Sequence, residues 1–145
     1  MALGDSSLFS WKSKATREKE QREYEAWAFP HGPEQRAKLE ALMRGLKPKE
    51  HLSFMMMGFL TCKELYERFL EQTGSSESAV DFLINEEKQY KNVIRKREMT
   101  TCLALVLADT EIDERCDYPS AEEVNARIRE LDGLRRKKKG LAAWI

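Results

Sequence analysis

An apolar run of seven residues, FMMMGFL, covers residues 54–60 and contains no charged side chain. After it, up to Leu70, apolar positions recur every three or four residues, which predicts one apolar face of an α-helix. The charged residues of this stretch, Lys63 among them, are expected off that face, on the solvent side. Within the run, apolar side chains point in all directions around the helix, so neighbours are needed on every side. The run is far shorter than the roughly 20 residues that span a membrane. We therefore expect it to lie in a central helix that other helices surround.

The rest of the chain also favours helices. Glu, Lys, Arg, Leu and Ala, which are good helix formers, predominate. The chain has 7 Gly and 4 Pro, too few for a turn-rich all-β protein. The sequence predicts an all-α fold, a single-domain bundle of four to five helices over residues 9–145 around the central apolar helix. Residues 1–8 are expected to be disordered or left over from cloning.

Caps and breakers divide the chain into helices. FPHGP at residues 29–33 holds two prolines and a glycine, which end the charge-dense helix before it. Gly45 is expected to cap the end of the second helix, Gly74 to end the central helix, and Ser120 to cap the last helix. The last helix is expected to turn its apolar residues inward, Leu134 among them. The predicted helical segments, of which the fourth and fifth form one helix or two, are residues 12–25, 33–45, 48–73, 75–97, 99–108 and 120–138.

Two of these segments carry alternatives. Thr61 and Glu64 match a capping box, so the central helix breaks near Gly58, or else Gly58 serves a close approach of two helices. Residues 99–108 form a second dense apolar run, whose few β-branched residues favour a helix over a buried strand. We expect this run to pack against residues 54–60, because these are the two segments that most need cover.

Charge and cysteine content bound the class of protein. The formal net charge is zero, so no overall field concentrates nucleic acid or an anionic membrane around the chain. The three cysteines are widely spaced and odd in number, which favours free thiols in a reducing cytoplasm. We therefore expect a cytoplasmic protein that does not associate with membranes.

Residues 109–119 form an acidic segment with five carboxylates and one arginine, which raises the question of a calcium loop. An EF-hand register that starts at Asp109 fails at its two strictest positions. The sixth residue is Glu114 where the sharp turn needs glycine, and the twelfth is Ser120 where a bidentate carboxylate is needed. We expect a solvated acidic loop and predict no metal ligands.

Catalytic signals are weak. His31 and His51 show no paired metal-ligand spacing with each other or with the cysteines. Nothing in the sequence indicates that either histidine lies beside a cysteine and activates it, and no glycine-rich phosphate loop is present. The sequence predicts no enzyme, no catalytic residue and no cofactor; an enzyme or metal site at the acidic segment is the weakest of three functional hypotheses.

A basic end to the last helix supports a second hypothesis. Residues 118–145 hold seven basic and four acidic groups. Cations near a helix C-terminus are often only favourable dipole partners, but such a cluster also suits nucleic acid or an acidic protein. A helix-turn-helix drawn over residues 61–89 is disfavoured, because its recognition helix would present Glu77 and Asp81 to phosphates. The residues of the alternative nucleic-acid contact are Arg135, Arg136, Lys137, Lys138 and Lys139.

The leading hypothesis is a non-catalytic protein that acts through protein–protein contacts and forms a homodimer. The three successive methionines of the apolar run point about 100° apart on a helix, so they cannot all face one neighbour. Methionine packs adaptably and is frequent at binding surfaces. The alternative is a helix that its own chain encloses completely. The predicted partner-binding residues are Met55, Met56, Met57, Phe59, Trp11 and Trp27.

Overall fold

The computed structural model describes residues 13–85 and 99–144, with side chains as far as Lys137. Those residues form six α-helices and no strand, which confirms the all-α prediction. The helices are α1 Lys14–Ala28, α2 Pro33–Gly45, α3 Leu52–Thr73, α4 Ser76–Asn85, α5 Met99–Thr110 and α6 Ala121–Trp144.

The chain divides within α2 into two compact units, residues 1–36 and residues 37–145. In the first unit, the Ser13 side chain caps α1 by accepting a hydrogen bond from the Thr16 N–H at 3.1 Å. The predicted stop after α1 is confirmed, since the next helix begins only at Pro33. One domain over residues 9–145 stays a prediction.

In the second unit, α3 contacts α4 and α5, and α6 contacts α4 and α5. Helix α5 is the most enclosed of these helices, because most of its side chains are buried regardless of direction. This confirms that the second apolar run is a helix. Its buried residues are Met99, Thr100, Cys102, Leu103, Ala104, Leu105, Val106 and Ala108.

Helices α3 and α5 approach each other closely at Gly58. A Cβ atom added there would lie 2.8 Å from Cys102 Sγ, which is inside van der Waals contact. The predicted packing of the two apolar runs is therefore confirmed. The alternative of a break is wrong, because α3 is one helix from Leu52 to Thr73 and ends at Gly74 in the left-handed conformation (φ 71°).

The apolar run is not covered on every side in the described residues. Phe54 is 60% exposed and Met57 is 57% exposed, while the neighbouring Met55 and Phe59 are buried. Helix α3 therefore presents two large apolar side chains to solvent. Its position as the central helix stays a prediction.

Two details at helix ends differ from the expectation. Gly45 is the last residue of α2, and the left-handed residue that follows the helix is Lys47, with φ 52°. Helix α6 continues through Gly140 to Trp144 rather than ending near residue 138, because a glycine inside a helix costs only about 1 kcal/mol. Leu134, expected to face inward, is 45% exposed.

The fourth predicted segment continues to residue 97, but residues 86–98 lie outside the described residues. In the described part of the chain, no helix combines the length and the hydropathy needed to cross a membrane.

Candidate functional site

Phe54 and Met57 form the first candidate site, which we name the exposed α3 face. They are three residues apart on one helix, so their side chains lie on the same side. Along that side toward the C-terminus, Thr61 is half-buried. The next residues there are Glu64 and Arg68, which form an exposed ion pair with 3.5 Å between Arg68 Nη2 and Glu64 Oε1. The exposed α3 face is therefore a small apolar surface with a polar border.

The structure separates the residues predicted to bind a partner. Met57 lies on the exposed α3 face, whereas Met55, Met56 and Phe59 are buried within the chain. Trp27 is half-buried in the first unit, and Trp11 lies outside the described residues. Phe54, which was not among the predicted residues, is more exposed than any of the three methionines. Its signal was its position three residues before Met57, at helical spacing.

A buried ion pair joins α3 to the end of α5. Lys63 Nζ lies 3.3 Å from Asp109 Oδ2, and the two side chains are 8% and 7% exposed. The Tyr118 hydroxyl donates a hydrogen bond to the other carboxylate oxygen, Asp109 Oδ1, at 2.7 Å. Charge and hydrogen-bond partners of this kind are what a buried carboxylate requires.

Lys63 was expected on the solvent side of α3, and that expectation is wrong. The lysine stands four residues after Phe59 and three before Tyr66, and all three side chains are buried. This spacing is that of one face of a helix, and it was the available signal that Lys63 is buried. The positive charge argued against burial, because a lysine is rarely buried unless a carboxylate accompanies it.

The acidic segment is an ion-paired corner whose charged residues are mostly exposed, in line with the solvated loop that was expected. Arg127 Nη2 contacts both carboxylate oxygens of Glu111, each at 3.0 Å. Arg115 lies 3.2 Å from Asp113 and 3.5 Å from Asp117. The Arg115 N–H also donates to Asp113 Oδ1 at 2.9 Å, and this bond is the main cause that lowers the pKa of Asp113 below its ordinary value.

Lys38 attaches this corner to α2. Its Nζ donates to the Arg115 carbonyl oxygen at 2.8 Å and lies 3.7 Å from Asp117 Oδ1. Across the described ranges, no three His, Cys, Asp or Glu side chains are grouped so that they could hold a metal ion. Four of the five carboxylates of the acidic segment are paired with cations.

The cysteines are free and buried. Burial, and secondarily the nearby Cys102, raise the pKa of Cys62 well above its ordinary value. A thiol is a nucleophile only as the thiolate. Cys62 is thus held in its unreactive form.

The basic end of α6 is partly neutralised. Arg135 and Arg136 both contact the Asp132 carboxylate, at 2.8 Å and 3.0 Å. Lys137 is exposed. The side chains of Lys138 and Lys139 lie outside the described residues.

The first unit has a groove of about 340 Å³ at the turn between α1 and α2. Phe29 and Pro30 line it, and the Arg36 guanidinium carbon lies 5.8 Å from the centre of the Phe29 ring. The His31 N–H donates to Gln35 Oε1 at 2.9 Å and thereby ties the turn to α2. This arrangement stabilises the turn and brings no catalytic pair together.

Comparison of the chain with protein-family models, with curated proteins and with solved structures finds no match.

Proposed function

We propose that this chain is a non-catalytic, cytoplasmic helical protein that acts through protein–protein contacts, and that its first partner is a second copy of itself. The observation that supports this is the exposed α3 face, where Phe54 and Met57 are exposed on a helix whose other apolar side chains are largely buried. In this proposal α3 is the central helix of both the chain and the dimer.

The chemistry of the exposed α3 face suits a symmetric contact. A two-fold interface uses the same patch on both copies, and Phe54 and Met57 are apolar on each. The formal net charge of zero means that two copies do not repel each other at long range. An exposed apolar face with a polar border is typical of a contact site.

The size of the exposed α3 face sets the strength of the contact. Complete burial of a Phe or Met side chain stabilises by about 1.5–3 kcal/mol, whereas association costs about 4–15 kcal/mol. Two such side chains from each copy therefore support a reversible dimer of modest affinity rather than a permanent one.

The non-catalytic part of the proposal is supported by the state of the reactive groups. The Cys62 thiol has a raised pKa, and four of the five carboxylates of the acidic segment are engaged with cations. His31 and His51 are both exposed, and they lie in different units. None of these groups forms the pair of nucleophile and base that covalent catalysis needs.

The alternative, nucleic-acid binding through the basic end of α6, is less well supported. Arg135 and Arg136 would have to leave the Asp132 carboxylate in order to contact phosphates. An electrophoretic mobility shift in about 50 mM salt, where phosphate contacts are strong, tests this alternative. A shift that disappears at higher salt would favour it over the homodimer.

The test of the homodimer is Met57→Glu, with Gln72→Glu as the matched control. Both positions are exposed on α3, and they are separated by about 20 Å at 1.5 Å per residue. In multi-angle light scattering over a concentration series, the parent protein and Gln72→Glu should dimerise at high concentration. Met57→Glu should stay monomeric with an unchanged circular dichroism spectrum. A parent protein that is monomeric throughout, or a Met57→Glu variant that unfolds, would contradict the proposal.

A further inference from the structure

A cleft of about 230 Å³ lies in the second unit where the loop between α2 and α3 meets α5 and α6. Its polar lining consists of Lys47 and Lys49 from the loop, Thr101 from α5 and Asn125 from α6. The lining also includes the apolar side chains of Met55 and Ile128. Hydrogen-bond donors from three separate parts of the chain thus surround one small space.

The cleft is positive and its donors are unused. No Asp or Glu is part of its lining. Among the described residues, the side chains of Lys47 and Lys49 take part in no ion pair, and those of Thr101 and Asn125 in no hydrogen bond. Two ammonium groups, a hydroxyl and an amide are therefore available to a ligand.

The backbone at Lys47 brings α2 to its end. Its φ of 52° is in the left-handed region, in which many helices terminate. The Lys47 N–H donates to the Arg44 carbonyl oxygen at 3.1 Å, which holds the residue in this conformation. The turn at the end of α2 thus places Lys47 and Lys49 in the lining of the cleft.

We propose that this cleft binds a small phosphate monoester. The doubly charged phosphate group contacts Lys47 and Lys49 and accepts hydrogen bonds from Thr101 and Asn125, which charge assistance strengthens. The carbon body of the ligand lies against Met55 and Ile128. The volume is below the roughly 300–1,000 Å³ of sites for drug-sized molecules, so it suits one phosphate group on a short carbon chain.

Titration of the ¹⁵N-labelled full chain with glycerol 3-phosphate, followed by NMR, tests the proposal. At about 50 mM salt, where screening of charges is weak, saturable shifts should be confined to the loop around Lys47 and to Thr101 and Asn125. Glycerol should cause no shifts, and inorganic phosphate should bind more weakly than glycerol 3-phosphate. Absence of saturable binding would overturn the proposal. Equal affinity for inorganic phosphate would mean that the carbon body is not recognised, and would overturn the assignment to an ester.

Two lysine variants separate a built site from general attraction of anions. Lys49→Gln should raise the dissociation constant of glycerol 3-phosphate about tenfold, as loss of one charge-assisted contact implies. Lys137→Gln removes the same charge from an exposed lysine that does not line the cleft, and should change the constant less than about twofold. Equal weakening by both variants would show that only the net charge matters. Neither result depends on whether the protein dimerises.

Discussion

Lys63 is a buried lysine that joins α3 to the end of α5. Its ammonium group and the Asp109 carboxylate are both buried and 3.3 Å apart, with the Tyr118 hydroxyl as a further partner of the carboxylate. An ion pair in a protein interior adds little net stability, but removal of one partner leaves the other charge without compensation. The pair therefore fixes how α3 and α5 meet more than it stabilises the fold.

We predict that Lys63→Met lowers the free energy of unfolding by about 3–5 kcal/mol, because the Asp109 carboxylate stays buried without its cation. The double variant Lys63→Met with Asp109→Leu should lose markedly less than the single variant, since it buries no charge. Urea denaturation of both variants measures the difference. A double variant that is no more stable than Lys63→Met alone would mean that the lost contacts are not electrostatic.

The Cys62 thiol gives a second prediction at this scale. Burial raises its pKa in the folded state, so the folded state holds the proton more tightly than an unfolded thiol with a pKa of about 8.5. The resulting stability is fully present below the unfolded pKa and is lost as the pH rises through the folded pKa. Iodoacetamide at mildly alkaline pH should therefore modify Cys62 slowly in native protein and quickly in urea, as measured by mass spectrometry. Equal rates in both conditions would contradict this.

At the scale of helices, Gly58 determines the distance between α3 and α5. The sequence left open whether this glycine breaks a helix or lets two helices meet. A capping-box pattern at Thr61 and Glu64 favoured a break. The structure resolves this in favour of contact, because the space of a Cβ atom at Gly58 is occupied by Cys102 Sγ. A local pattern of two residues could not reveal a neighbour that is distant in sequence.

We predict that Gly58→Ala destabilises by about 1–3 kcal/mol, although alanine is the better helix former, because its Cβ would lie 2.8 Å from the buried Cys102 Sγ. Gly133→Ala in α6 is the matched control. Nothing lies within 4 Å of its added Cβ, so it should stabilise by about 0.5–1 kcal/mol. Thermal unfolding compares the two.

A second substitution tests whether the contact with Cys102 Sγ causes the loss of stability in Gly58→Ala. Cys102→Ala should recover part of the loss caused by Gly58→Ala, since it removes the sulfur atom that the new Cβ meets. Independent effects of the two substitutions, with no recovery in the double variant, would place the cost of Gly58→Ala elsewhere.

For the whole molecule, the sequence was most informative where periodicity and apolar density agree. The all-α class, the stop after α1 and the helix at residues 99–110 could all be predicted, because each depends on local composition and on breakers. What could not be predicted depends on distant neighbours. The helical spacing of Lys63 indicates its buried face, but its partner Asp109 lies 46 residues away in the sequence. The cleft at Lys47 exists because Thr101 and Asn125, far apart in the chain, lie together.

The fold of the second unit depends on α5, whose side chains are buried in nearly every direction. We predict that Leu105→Asp prevents folding of the second unit, because Leu105 is fully buried and an unpaired carboxylate there costs several kcal/mol. That cost is comparable with the roughly 5–15 kcal/mol that holds a domain together. Leu134→Asp, at a leucine that is 45% exposed on α6, should fold and melt close to the parent protein. Far-ultraviolet circular dichroism during thermal unfolding distinguishes them, and a Leu105→Asp variant that melts like the parent would remove α5 from the core.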